Sequence, residues 1–176
     1  MPNHVVNHIS LQGDPEKIRS MLETIKSDEH GIGSVDFNKI IPMSKSLDIE
    51  ASSRTDRGLK VYRDFIDVYT LAGTMNMDKL RNIPVESEEI FLRQRTDMRR
   101  DEWELGKAAW RNIRDFGAPT WYDWCISNWG TKWNAYGYSE DTIDYHDGDT
   151  LYFQTAWSAP HPILEKLTQM FPDIRL

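Results

Sequence analysis

Val5, Val6, Ile9 and Leu11 gather β-branched and apolar side chains into one short run, His4 to Gln12, which ends at Gly13-Asp14-Pro15. A run of this kind, bounded by turn residues, predicts a strand. The period then changes. Ile18, Met21, Leu22 and Ile25 recur at i, i+3, i+4 and i+7, which is one buried face of a helix. Asp14 is placed to cap that helix, and Pro15 falls at its first position, where a missing N–H costs nothing. After Gly31 and Gly33, the alternation of Val35 and Phe37 into Ile40 and Ile41 predicts a second strand, closed by Pro42. Strand, helix and strand in this order predict two parallel strands with the helix on one face.

From Ser44 to Phe116 the pattern is helical. Leu59, Tyr62, Phe65, Ile66 and Tyr69 form one stripe, and Ile90 to Arg95 and Glu102 to Arg114 form two further pieces. The last carries Trp103, Ala109, Trp110 and Ile113 as its apolar content. These faces are narrow, so they read as a helical insertion over approximately 44–130 that needs the sheet for cover, within a single domain spanning 1–176.

Beyond it, Thr120 can cap a short helix, with Asp123 three residues on, and Gly130 suits a left-handed stop. Thr131 onward is strand-like, and Asp147-Gly148 is the signal for a two-residue hairpin turn. Counting outward pairs Tyr145 with Thr150 and Ile143 with Tyr152, and puts Leu151, Phe153, Thr155 and Trp157 on one face of the returning strand. Ser158 is placed to cap a last helix with a stripe of Ile163, Leu164, Leu167, Met170 and Phe171. Residues 173–176 read as the start of a further strand that is cut off. The order predicts an α+β fold of the ferredoxin-like type: an antiparallel or mixed sheet, helices on one face, and a helical insertion after the second strand.

Composition fits one core: 176 residues, 39% hydrophobic and 11% aromatic. No apolar run approaches the ~20 residues that span a bilayer, and the N-terminal segment lacks the pattern of a secretory signal. A single cysteine, Cys125, excludes an intramolecular disulfide and a cysteine-based zinc cluster. A cytoplasmic protein with no membrane partner is expected.

The segments NHVVNHISLQGD, VDFNKIIPM, LGKAAWRNIRDFGAPTWYDWCISNWGTKWNAY and FQTAWSAPHPILEKLTQMFPD follow one another along the chain. Together they resemble the YubB-like family, plasmid- and phage-borne proteins with a ferredoxin-like domain. The resemblance implies that fold and a mobile-element origin, and it implies no reaction. In that family the last helix is followed by a strand and a glycine-containing segment, whereas this chain stops at Leu176. An uncovered edge beside the first strand is then expected, and with it a homodimer through that edge, or the removal of residues.

Candidate chemistry is sparse. Trp121, Trp124, Trp129 and Trp133 fall within thirteen residues, and with Lys132 as the sole basic residue between Arg114 and Lys166 they read as core, not as a base-stacking platform. Cys125, between Trp124 and Ile126, has no histidine placed beside it and reads as a structural thiol. Five histidines show no metal-ligand spacing, and no cofactor-binding motif is present, so neither metal nor cofactor is expected. Arg93, Arg95, Arg99 and Arg100 form the one basic cluster, but Asp97, Asp101 and Glu102 interrupt it as on a solvated helix. An anion-contacting patch is the alternative there.

The net charge of −7 argues against a general phosphate-backbone binder, so nucleic acid is not the expected partner. The excess lies near the C-terminus: residues 116–176 carry 3 basic and 8 acidic side chains. Glu140, Asp141, Asp144, Asp147 and Asp149 crowd the hairpin. The expected function is therefore a non-catalytic binding module of a mobile genetic element, whose acidic hairpin engages a basic host protein. Two alternatives stand beside it. One is an enzyme holding a small anionic substrate near Arg93, Arg95 and Arg99. The other is a nucleic-acid-binding ferredoxin-like domain, by fold analogy.

Overall fold

A computed structural model describes residues 3–72, 85–138 and 150–176. The elements are β1 (His4–Ser10), α1 (Pro15–Ile25), α2 (Ser53–Ala72), α3 (Val85–Arg93), α4 (Arg100–Phe116), α5 (Trp121–Trp129), β2 (Thr150–Ala156) and α6 (His161–Met170). Short 3₁₀ turns lie at Phe37–Lys39 and Lys45–Leu47. The chain forms two compact units. One joins Met1–Ser44 to Tyr122–Leu176, and the other is Lys45–Trp121.

In the first unit β1 and β2 pair antiparallel, from His4 with Ala156 to Ser10 with Thr150. α1 begins as its sequence requires: the Asp14 carboxylate accepts from the N–H groups of Glu16 and Lys17 at 3.0 and 3.2 Å. Ile18, Met21, Leu22 and Ile25 are all buried. α6 buries Ile163 and Leu167, but it starts at His161 without a side-chain cap. Ser158, expected as that cap, donates instead to the carbonyl of Gly130.

The expected second strand is absent from residues 35–41. The Asp36 carboxylate accepts from the N–H of Asn38 at 3.0 Å and closes a 3₁₀ turn at Phe37–Lys39. Val35, Phe37 and Ile40 are buried as their pattern demands, but side chains take two of the backbone donors that a ladder would use. Val35 N–H donates to the Tyr138 hydroxyl (2.9 Å) and Phe37 N–H to Asn134 Oδ1 (2.8 Å). The place beside β2 belongs to Tyr136, which exchanges both backbone hydrogen bonds with Gln154 at 3.0 and 2.8 Å. The helical segment thus precedes, and does not follow, the stretch that pairs with β2. The counted hairpin pairs Tyr145–Thr150 and Ile143–Tyr152 each include a residue outside the described ones. That count would set position 141 opposite Gln154, and the described pair at Gln154 is Tyr136. Just past β1, Gln12 and Arg175 exchange backbone hydrogen bonds (2.9 and 2.8 Å), so the start of the expected final strand has a partner.

The second unit is built on a glycine contact. A Cβ on Gly58 would lie 2.0 Å from the Glu102 carbonyl oxygen, and one on Gly106 would lie 2.0 Å from the Gly58 carbonyl carbon. Glycine at both positions lets the backbones of α2 and α4 touch. Around that contact Val61, Tyr62, Phe65, Ile66 and Trp103 form a core, with Tyr69, Phe91, Leu92, Met98 and Trp110 packed on it. Close approach at the glycines lets the narrow apolar faces of α2 and α4 pack on each other. Two acids are buried here with cations: Glu102 with Arg57 at 2.9 Å (Nε), and Glu88 with Lys107 at 2.7 Å. Glu88 also accepts from the Trp103 indole N–H at 3.3 Å.

Candidate ligand-binding face of the sheet

Alternation along β1 divides its side chains between two faces. Asn7 is buried and Val5 and Ile9 are half-buried, opposite Phe153, Thr155 and Leu151 on the core side of β2. His4, Val6, His8 and Ser10 are exposed on the other side, where Gln154 and Tyr152 stand opposite Val6 and His8. This second face carries rings. His8 and Tyr152 meet edge to face with centroids 4.8 Å apart. His4 and Tyr136 do the same at 5.7 Å, and Tyr136 meets Trp133 at 6.3 Å.

The stripe continues through Lys132. Its ammonium lies 4.8 Å from the ring of Trp133, 5.1 Å from that of Trp157 and 5.9 Å from that of Tyr122. Trp157 and Tyr122 are themselves edge to face at 5.9 Å. Three rings around one ammonium hold it electrostatically through their negative faces. Among the described residues no carboxylate pairs with Lys132. The Tyr136 hydroxyl lies 2.7 Å from His4 Nδ1 and 3.2 Å from the Thr155 carbonyl oxygen, and burial raises it above its ordinary value.

Trp157 is the least ordinary residue on this face. It was expected to share one face of the returning strand with Leu151, Phe153 and Thr155. Its backbone turns left-handed instead, at φ 79°, the sole non-glycine with positive φ among the described residues. Its indole is then 44% exposed, next to a fully buried Ala156. A bulky L-residue in this region costs about 1–2 kcal/mol and persists where its neighbours fix the backbone. They do so here. Trp157 N–H donates to Asn3 O at 2.8 Å, and the Thr131 hydroxyl donates to Ala156 O at 2.8 Å. The Thr155 hydroxyl donates to Ser158 O at 2.8 Å and accepts from the buried Asn7 amide at 2.9 Å. Core hydrogen bonds thus aim a large ring at solvent.

The residues singled out in the sequence fare differently. Glu140, Asp141, Asp144, Asp147 and Asp149 lie outside the described residues. The arginines are not gathered into one site. Arg95 pairs with Asp97 at 3.0 Å, Arg99 with Asp101 at 3.0 Å, and Arg100 with Glu89, while Arg93 is exposed at the end of α3. Of the four clustered tryptophans, Trp124 and Trp129 are core, packed against each other and, through Trp129, against Phe37. Trp133 is half-buried and belongs to the ring stripe, which the core reading of the whole cluster missed. Cys125 is buried 3.9 Å from the Met43 sulfur, and burial pushes its thiol up to about 11. Among the described residues no group of His, Cys, Asp and Glu could hold a metal ion, and no helix is long and apolar enough to cross a membrane. A pocket of about 210 Å³ lies beside Lys17, Ser20 and residues 171–174, smaller than the ~300 Å³ at which small-molecule sites begin.

No curated protein and no solved structure matches the chain. Residues 132–176 match the family model described as a ferredoxin-like domain in Api92-like protein, a segment that holds Lys132, Trp133, Tyr136, β2, Trp157 and α6. The fold is accordingly α+β with a ferredoxin-like domain, and the ring-bearing half of the candidate face lies within the part that is similar to that domain.

Proposed function

We propose that this protein is a non-catalytic binding module of a mobile genetic element, and that it engages another macromolecule through the exposed face of its ferredoxin-like sheet. The observation that carries this reading is Trp157, an exposed indole held in a left-handed backbone by hydrogen bonds from the core. A site that stores strain to present a side chain to solvent is built for contact. Tyrosine and tryptophan offer large rigid contact area at low entropic cost, and here they flank a lysine in one stripe. The arginines point the same way. With Arg95, Arg99 and Arg100 each occupied by a separate acid, an anionic substrate site finds no support in that cluster. The origin in a phage or plasmid rests on the sequence resemblance.

Photo-crosslinking tests the reading. Val6 is 60% exposed at the centre of the face, and Val68 is 57% exposed on the other unit. A benzophenone amino acid placed at Val6 should give a discrete adduct in the host cell, lost when Trp157→Ala is added, while the same probe at Val68 gives none. Equal, diffuse labelling from both positions would defeat the proposal.

A further inference from the structure

We infer that the ring stripe binds single-stranded nucleic acid by stacking unpaired bases, an inference that rests on the exposed sheet face being the contact surface. Composition alone argued otherwise, because it counts charge and not ring placement. Along the stripe, from His8 and Tyr152 through His4, Tyr136 and Trp133 to Trp157 and Tyr122, the side chains are aromatic or imidazole rings, interrupted by Val6, Gln154 and Lys132. An interface for a folded protein centres on a buried apolar anchor in a pocket. The described part of this face carries a row of rings instead, which suits bases, every one of which has a π-face.

The position on the sheet agrees. Four-stranded sheets that read single-stranded RNA stack bases on rings displayed by strands, and here His8 and Tyr152 face each other across β1 and β2. Gln154, between the two ring pairs, supplies an amide donor and acceptor for a base edge. Charge then selects the form of the ligand. The Lys132 ammonium is held by rings and by no described carboxylate, so it is placed to meet a phosphate. A duplex buries its π-faces in its own stack and presents chiefly phosphates, which a chain of net charge −7 repels. Single strands expose what this face can hold.

Fluorescence anisotropy with labelled oligo-dT and oligo-rU of about twelve nucleotides, within the span such modules cover, tests the inference on the full chain. Saturable binding is expected, with no binding to a duplex of equal length. One lysine contact implies a shallow salt dependence, a log–log slope of about −0.7 for a single strand. Tyr152→Ala should weaken binding roughly tenfold, Tyr152→Phe should retain it, and Lys132→Gln should flatten the salt slope while most affinity stays. Circular dichroism checks that each variant is folded. Absence of binding at low salt, or equal affinity in wild type and Tyr152→Ala, overturns the inference. If Val6 nevertheless crosslinks to a protein, the binding-module reading survives and only the nucleic-acid assignment falls. If neither ligand is found, both fall.

Discussion

Replacing Trp157 by alanine and by glycine separates what its backbone costs from what its ring contributes. Both substitutions remove the same contacts: the edge-to-face pair with Tyr122 at 5.9 Å and the Lys132 contact at 5.1 Å. Such a pair is worth about 0.5–1.5 kcal/mol and a surface cation–π contact about 0.5–1 kcal/mol. Alanine keeps the left-handed strain of φ 79°, whereas glycine adopts that region without penalty. Relief of about 1–2 kcal/mol is offset by the extra freedom of glycine in the unfolded chain, about 0.4–1 kcal/mol. Trp157→Gly should therefore be more stable than Trp157→Ala by about 0.5–1 kcal/mol, the reverse of the order inside a helix or strand. Urea denaturation followed by far-UV circular dichroism measures the difference, and the loss of one fluorophore does not disturb it. Both variants should lose ligand equally. Glycine no more stable than alanine would refute the claim that the core holds this residue under strain, and retained binding in either variant would refute the claim that the ring is there for contact.

Gly106→Ala should destabilise the helical unit by about 2 kcal/mol or more through overpacking, although alanine is the better helix former, because its methyl would sit 2.0 Å from the Gly58 backbone; thermal melts decide the sign. Glu88→Ala strips the partner from a largely buried Lys107 and one acceptor from the Trp103 indole, and about 3 kcal/mol of stability should go with them, read as a lower urea midpoint. Cys125 should resist a thiol reagent at pH 8 until the chain is unfolded, since its thiol is raised to about 11. The same shift sets a sign: the folded chain holds this proton more tightly than the unfolded chain. Its contribution to stability is present below the ordinary thiol value and falls as pH rises from 9 toward 11, which urea titrations across that range will show.

Much of the fold is legible in local pattern. The Asp14 cap, the α1 stripe, the stripe of α2 and the left-handed Gly130 stop follow from side-chain spacing and backbone preference, which act over a few residues. The errors share one cause, which is competition from distant groups. Val35 to Ile41 has a strand's alternation, but Asn134 and Tyr138 take its backbone donors from about a hundred residues away. Gly58 and Gly106 look like weak points in two helices until the helices are laid together. The stripe was hidden for the same reason. Its rings come from β1, from Tyr122, from 132–136 and from 152–157, and no window of sequence holds them at once. One signal is available in the sequence: strand alternation puts Tyr152 and Gln154 on the face opposite Leu151, Phe153 and Thr155.

The most direct test of the central claim, that the exposed sheet face is the contact surface, is a heteronuclear spectrum of the seven tryptophan indole N–H groups during titration with oligo-dT. The Trp133 and Trp157 signals should shift with ligand while those of Trp103, Trp124 and Trp129, all buried, stay where they are. Movement of the buried indoles with Trp133 and Trp157 unchanged would contradict it.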